Sequence, residues 1–356
     1  MIKRGTILLA AFLAVSSAFA LDANAAPTPH HGSATIRAVT ARPEVVSAPG
    51  DVTCSTTGGT IDRTSSCLHG QLDISFYEEP SHTYVGYSEI NWTSHVRLDP
   101  RNRHKWTDDV TLTQTATDVP ASEIGEATVS ETCGSCTSTG GATQILTVGA
   151  TKTYHLVLDS PGTATITDAQ APHLVFTAPP FTPVDTDLGP KINVRCDNTP
   201  QMSPVQDGGC VYPDVTPTYN ISVTGPYDQV AWHIDWAQRN LGHHWGWQGH
   251  GPALTRTMDK SLIKRNRRTA CPSSIPRPSG KSCDEYPFAS TYQGASLNPD
   301  FSCHMVPEAQ NSNEGNYRKQ WYNANRLFER EKFWVNVTDI PAGARAQTMR
   351  PLVQCP

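Results

Sequence analysis

Two adjacent carboxylates, Asp284 and Glu285, stand between Cys283 and a Tyr286-Pro287 step, in a chain of which only 17% of residues are charged. Upstream lies a basic run, Lys264-Arg265-Asn266-Arg267-Arg268; downstream lie an amide, Asn311, and a third acid, Glu314. Carboxylate and amide oxygens suit a hard divalent cation, and a carboxylate can take a proton from water. A guanidinium donates two parallel hydrogen bonds to one phosphate. Together these are the parts that phosphodiester hydrolysis requires: a cation to neutralise charge on the phosphate and leaving oxygen, a base, and cationic groups to hold the strand. By type alone the set is unspecific. Acids beside a turn are mostly structural or solvated, and a basic run is mostly a solvated face.

The elements around these residues follow from their patterns. Residues 219–223 read as a strand, ended by Gly225-Pro226, and Asp228 can cap a helix with Val230, Ile234, Ala237 and Leu241 at the 3.6-residue period. A Gly/His/Trp-rich segment over 242–251 follows. A second amphipathic helix is expected over 314–328, with Tyr317, Trp321, Ala324 and Phe328 on one face, and then a closing strand with Phe333, Val335 and Val337 in alternation. Before Cys210 the texture differs. Leu72, Ile74 and Phe76, then Tyr154, Leu156 and Leu158, then Leu174 and Phe176 alternate with polar residues between Gly, Pro, Asp and Ser clusters. That pattern predicts an antiparallel β domain, a sandwich.

The expected organisation is therefore α+β. A signal peptide occupies residues 1–25, with Lys3 and Arg4 before an apolar run and small-residue cleavage patterns. A flexible leader follows at 26–50, a disulfide-bonded β-rich accessory domain at 51–210, and a small α+β domain at 211–356. No later apolar run is long enough to cross a bilayer, so the mature chain is expected outside the cell with no membrane span. The formal net charge of −5 conceals an asymmetry: residues 27–210 carry 10 Lys+Arg against 20 Asp+Glu, whereas residues 211–356 carry 16 against 12. A polyanionic ligand responds to that local excess of positive charge. Ten cysteines in an exported chain read as disulfides, six before residue 211 and four after it, with Cys54–Cys67 and Cys196–Cys210 as neighbouring pairs. Cys133-Gly-Ser-Cys136 has a zinc-knuckle spacing but lacks a second ligand pair.

Three segments in order, "NRRTAC" from Asn266, "CDEYPFAST" from Cys283 with Gln293-Gly294 after it, and "VPEAQNSNEG" from Val306, resemble the NucA/NucB family of secreted bacterial deoxyribonucleases. The helix pattern "VAWHIDWAQ" from Val230 is similar to the family's first helix, so the resemblance covers roughly residues 215–338. It implies a compact nuclease site of the ββα-metal kind. Asp284 then takes the essential aspartate position, as general base or as a carboxylate beside the cation, and Asn311 supplies a metal-binding oxygen. Glu285 and Glu314 are second candidates for catalysis or for orienting cation-bound water. Arg267 would contact the phosphate, and Lys264, Arg265 and Arg268 would join it in holding DNA. The implied cofactor is a divalent cation, Mg or Mn. The implied activity is sequence-nonspecific endonuclease cleavage of extracellular DNA; the alternative is a non-catalytic exported binding protein with a degenerate nuclease domain. Where some members carry an acid after the helix glycine, this chain has Asn316, which leans toward that alternative.

Other features have two readings. A Cys271–Cys283 bridge would tie the arginine segment to the acidic turn. His243, His244, His250 and His304 read first as loop and surface histidines, and His233 as a residue that packs at the edge of the core or bonds a backbone group. Trp245, Trp247 and Tyr292 read equally as core aromatics or as stacking partners for bases. The β domain reads as an accessory module with a surface or cell-wall glycan as its candidate partner.

Overall fold

The computed structural model describes residues 32–40, 44–45, 52, 54, 59–120, 124–199 and 208–344. The expected signal peptide and Cys355 lie outside them. In chain order the first body comprises β1 (Gly32–Thr40), β2 (Glu44–Val45), β3 (Thr60–Ile61), β4 (Ser65–Glu78), β5 (Thr83–Arg97), β6 (Trp106–Thr117) and β7 (Ile124–Thr132). It continues through β8 (Thr137–Thr139), β9 (Thr143–Thr147), β10 (Thr151–Asp159), β11 (Ile166–Thr177), β12 (Val184–Asp187), β13 (Ile192–Asp197) and β14 (Gly209–Val211).

One sheet runs β2-β3-β4-β5-β6-β10-β8 with β1 also on β4, and the other runs β14-β13-β11-β7-β9 with β12 also on β11. Alternation explains how they meet. Leu72, Ile74 and Phe76 on β4 and Tyr154, Leu156 and Leu158 on β10 point inward, against Val129, Leu174 and Phe176 of the second sheet, in one core. Each such burial contributes about 1.5–3 kcal/mol. Among the described residues, Cys54–Cys67, Cys133–Cys136 and Cys196–Cys210 are disulfides, so the CxxC spacing closes a bridge and not a zinc site. One expectation changes: residues 32–40, within the segment read as a leader, pair antiparallel with β4 as strand β1. The Ala, Pro and Thr content hid a strand whose partner is distant in the chain.

The second body comprises β15 (Thr218–Ser222), α1 (Asp228–Asn240), β16 (Leu254–Thr255), α2 (Lys260–Ala270), β17 (Lys281–Tyr286), β18 (Ser302–Pro307), α3 (Glu308–Ala324) and β19 (Lys332–Thr338). The first core extends through Val215 and the second begins at Tyr219. β15 and β16 flank β19, while β17 and β18 form a separate antiparallel pair that leads directly into α3. Val230, Ile234 and Ala237 of α1 join Phe333 and Val335 of β19 in the core. Asp228 is the first helical residue and not the cap; it favours the positive end of the helix dipole and accepts from Gln310 Nε2 at 2.8 Å.

The second amphipathic helix also departs from its expected span. α3 begins at Glu308, with Pro307 at the position before it, and ends before Asn325, after which Arg326 adopts φ +43°. Tyr317 is exposed and Phe328 lies beyond the helix; the buried residues are Glu314 and Tyr322. The apolar stripe inferred from aromatic spacing is therefore not the buried face.

The two bodies meet at a buried polar clasp. Arg63 donates to the carbonyls of Asn325, Tyr212 and Val215 and to Glu331 Oε1, all within 3.0 Å. Arg195 reaches Glu331 Oε1 at 2.7 Å and stacks over Phe328. Arg326, fully buried, pairs with the equally buried Asp197 and donates to Pro100 O at 2.9 Å.

Candidate active site

Alternation along β17 sends Ser282, Asp284 and Tyr286 to one face and Cys283 and Glu285 to the other. On the first face, Asp284 is 4% exposed, and its Oδ2 accepts from His233 Nδ1 of α1 at 2.6 Å. The other ring nitrogen of His233 lies 2.7 Å from Ser302 Oγ on β18. His304 stands directly across the strand pair from Asp284, with its ring centroid 5.8 Å from that of His233. Burial, and then the neighbouring His233, push the His304 imidazole down to about 4, so it is neutral at physiological pH. Its buried Nδ1 has no hydrogen-bond partner.

Asn311 closes this site from the first turn of α3. Its Nδ2 donates to Ser282 Oγ and to Cys283 O, both at 3.0 Å, which fixes the amide plane against the strand residues preceding Asp284. Among the described residues, Asn311 Oδ1 and Asp284 Oδ1 take no hydrogen bond from the protein. No group of three or more His, Cys, Asp or Glu side chains there forms a metal cluster. Carboxylate and amide oxygens are of the kind that suits a hard cation completing its shell with phosphate and water. Gly315 follows Asn311 by one helical turn, and a Cβ there would meet nothing within 4 Å. The protein's own packing does not require that glycine.

The remaining candidates lie elsewhere. Glu285, on the opposite face, sits 3.7 Å from Arg267 Nε, and burial, then the Asp284 charge, raise its carboxyl to about 7. Arg267 is thus beside Glu285 and not beside Asp284. Glu314 is fully buried: Arg318 takes both its oxygens at 2.8 and 3.1 Å, and Tyr219 Oη donates to Oε1 at 3.0 Å. It is a core ion pair with no oxygen left for substrate. Lys264, Arg265 and Arg268 are exposed on α2 and make no ion pair among the described residues. α2 is tied to β17 by the Cys271–Cys283 disulfide. Asn266 latches α2 from its inner side, donating to Ala289 O and Thr291 O and accepting from Ser296 N. This explains Gly294, where a Cβ would come within 2.2 Å of the Asn266 amide.

Three neighbours of Asp284 escaped the sequence reading. His233 bonds a carboxylate and not a backbone group, His304 lies on β18 and not in a surface loop, and Ser302 had drawn no attention. Tyr292 is also excluded as a stacking partner, because its hydroxyl donates to Glu329 and Arg330 covers its ring.

The antiparallel pair β17–β18 thus runs into α3, with Asp284 on the strand, Asn311 bonded to the two residues before it, and the basic α2 tied to β17 by a disulfide. Residues 246–336, from the loop after α1 through most of β19, match the family model described as Deoxyribonuclease NucA/NucB. This part of the C-terminal body is thus similar to the NucA/NucB deoxyribonucleases, and α1 with His233 lies outside the matched residues. No curated protein and no solved structure matches the chain.

Proposed function

We propose that the protein is an exported, divalent-metal-dependent endonuclease that hydrolyses DNA phosphodiester bonds without base specificity. The observation that supports this reading is the bonding of Asn311 on α3 to Ser282 and Cys283, the two strand residues before Asp284, inside the segment that matches a deoxyribonuclease family. When bound, a cation of the Mg or Mn class would neutralise charge on the phosphate and leaving oxygen. Asn311 Oδ1 and Asp284 Oδ1 are the oxygens the chain offers it. Asp284 is also the carboxylate placed to take a proton from water, with His233 holding the other oxygen. The order β17, β18, α3 is the ββα order, and the open space at Gly315 gives a phosphate backbone access to the Asn311 face. Exposed cations on α2 supply the sequence-independent grip expected of a nonspecific nuclease.

Incubation of mature protein with supercoiled plasmid and Mg or Mn, with and without chelator, tests the proposal. The expected outcome is chelator-sensitive nicking that Asp284→Ala and Asn311→Ala each reduce at least a hundredfold. Plasmid left intact under both metals would favour the non-catalytic binding protein. Nicking that survives both substitutions would place the chemistry elsewhere.

A further inference from the structure

The loop after α1 is built as two aromatic stacks. His243 lies on Trp245 with ring centroids 4.5 Å apart and planes 13° from parallel, and His250 lies on Trp247 at 3.7 Å and 25°. Both imidazoles are exposed, while both indoles are half-buried. Asp300 anchors the first stack: its carboxylate accepts from the backbone of Gly242 and His243 and lies 2.6 Å from His243 Nδ1, and its carbonyl accepts from Trp245 Nε1 at 3.0 Å. Turn bonds from Trp247 N to His244 O and from Gly251 N to Trp247 O fix the second. Gly246 has φ +72°, and a Cβ there would come within 2.7 Å of Tyr286 Oη. The outer imidazole faces are therefore flat, preorganised and open to solvent.

Their position relates them to the candidate site. Tyr286 Oη donates to Trp245 O at 2.7 Å, which seats the loop at the end of β17 two residues beyond Asp284, about 7 Å along the strand. From residue 242 to 253 the loop contains no Lys, Arg, Asp or Glu, so it is suited to contact by stacking and not to gripping phosphate.

We propose that these two imidazole–indole stacks are a platform for unpaired bases, and that the preferred substrate is single-stranded or frayed DNA whose phosphates run on to Asp284 and Asn311. Bases in a duplex already cover one another's faces, whereas a single strand can lay its bases on an aromatic ring. The inference takes its substrate from the proposed nuclease activity, but stacking can be measured without cleavage.

In chelator, the full-length protein is titrated with an oligonucleotide carrying a fluorescent adenine analogue, as a single strand and as a hairpin duplex. The single strand is expected to be quenched and to bind about tenfold more tightly than the duplex. His243→Ala combined with His250→Ala should weaken single-strand binding about tenfold or more, the scale of one or two base–aromatic stacks, and leave duplex binding unchanged. His250→Phe should keep wild-type binding. Equal affinity for the two forms, or a double variant that binds the single strand like wild type, overturns the platform. Quenching without metal-dependent nicking would retain the platform and remove the nuclease reading; nicking without single-strand preference would do the reverse.

Discussion

At the residue scale the decisive contact joins His233 to Asp284. A carboxylate that donates nothing is held by one oxygen, leaving the other oriented. Partners of this kind typically change activity ten- to a hundredfold when removed. His233→Ala should therefore lower kcat for oligonucleotide cleavage by about that factor with KM nearly unchanged. His233→Asn, whose amide can replace the Nδ1–H donor, should recover much of the loss; equal losses in both variants would assign His233 to packing alone. Asp284 and Asn311 were named as candidates from the sequence because their chemical types and the order of their motifs are local properties of it. His233 and Ser302 were not, because they reach the site only when α1 crosses the strand pair, at separations of 51 and 69 residues. Glu314 was misjudged for a local reason: Arg318, one helical turn later, neutralises it.

The element to which the proposed function assigns DNA affinity is α2. Its Asp259 cap accepts from Ser261 N at 2.8 Å, and Arg267 and Arg268 complement the dipole in its last turn, so the helix tolerates its charge. Lys260, Lys264, Arg267 and Arg268 fall at i, i+4, i+7 and i+8, hence on one side, with Asn266 turned inward. If that side follows a phosphate backbone, Lys264→Gln with Arg268→Gln should weaken binding uniformly across sequences. It should also reduce the slope of log affinity against log salt by about 0.9 for each phosphate no longer neutralised, measured by anisotropy in chelator. An unchanged slope would leave α2 as solvated surface. The basic run and a Cys271–Cys283 bridge from it to the acidic turn were read in the sequence, and the disulfide is present, but the helix was not assigned there. α3 was displaced because its inward side joins the Glu314–Arg318 pair to Tyr322, and a hydrophobic period does not report a polar pair that packs inward.

At the scale of the molecule, two bodies were visible as a change of texture and charge near residue 211, and each has its own core. Their docking was not visible, because Arg63, Arg195 and Arg326 are far apart in the chain. Breaking a buried ion pair strands the other charge, at a cost of about 3–5 kcal/mol. Arg326→Ala should therefore leave Asp197 with Arg195, 4.0 Å away, as its remaining ion-pair partner, and calorimetry of the full chain should show one cooperative unfolding transition separating into two. A single transition with an unchanged midpoint would mean that the clasp contributes nothing. Most acceptors in this clasp are peptide carbonyls, those of Pro100, Tyr212, Val215 and Asn325 among them. A carbonyl is present whatever side chain is attached to it. Mutational drift can thus rewrite the joining surfaces extensively, provided the three guanidinium groups and their two carboxylates persist, and the mutual orientation of the halves would survive in descendants that share little else of this seam.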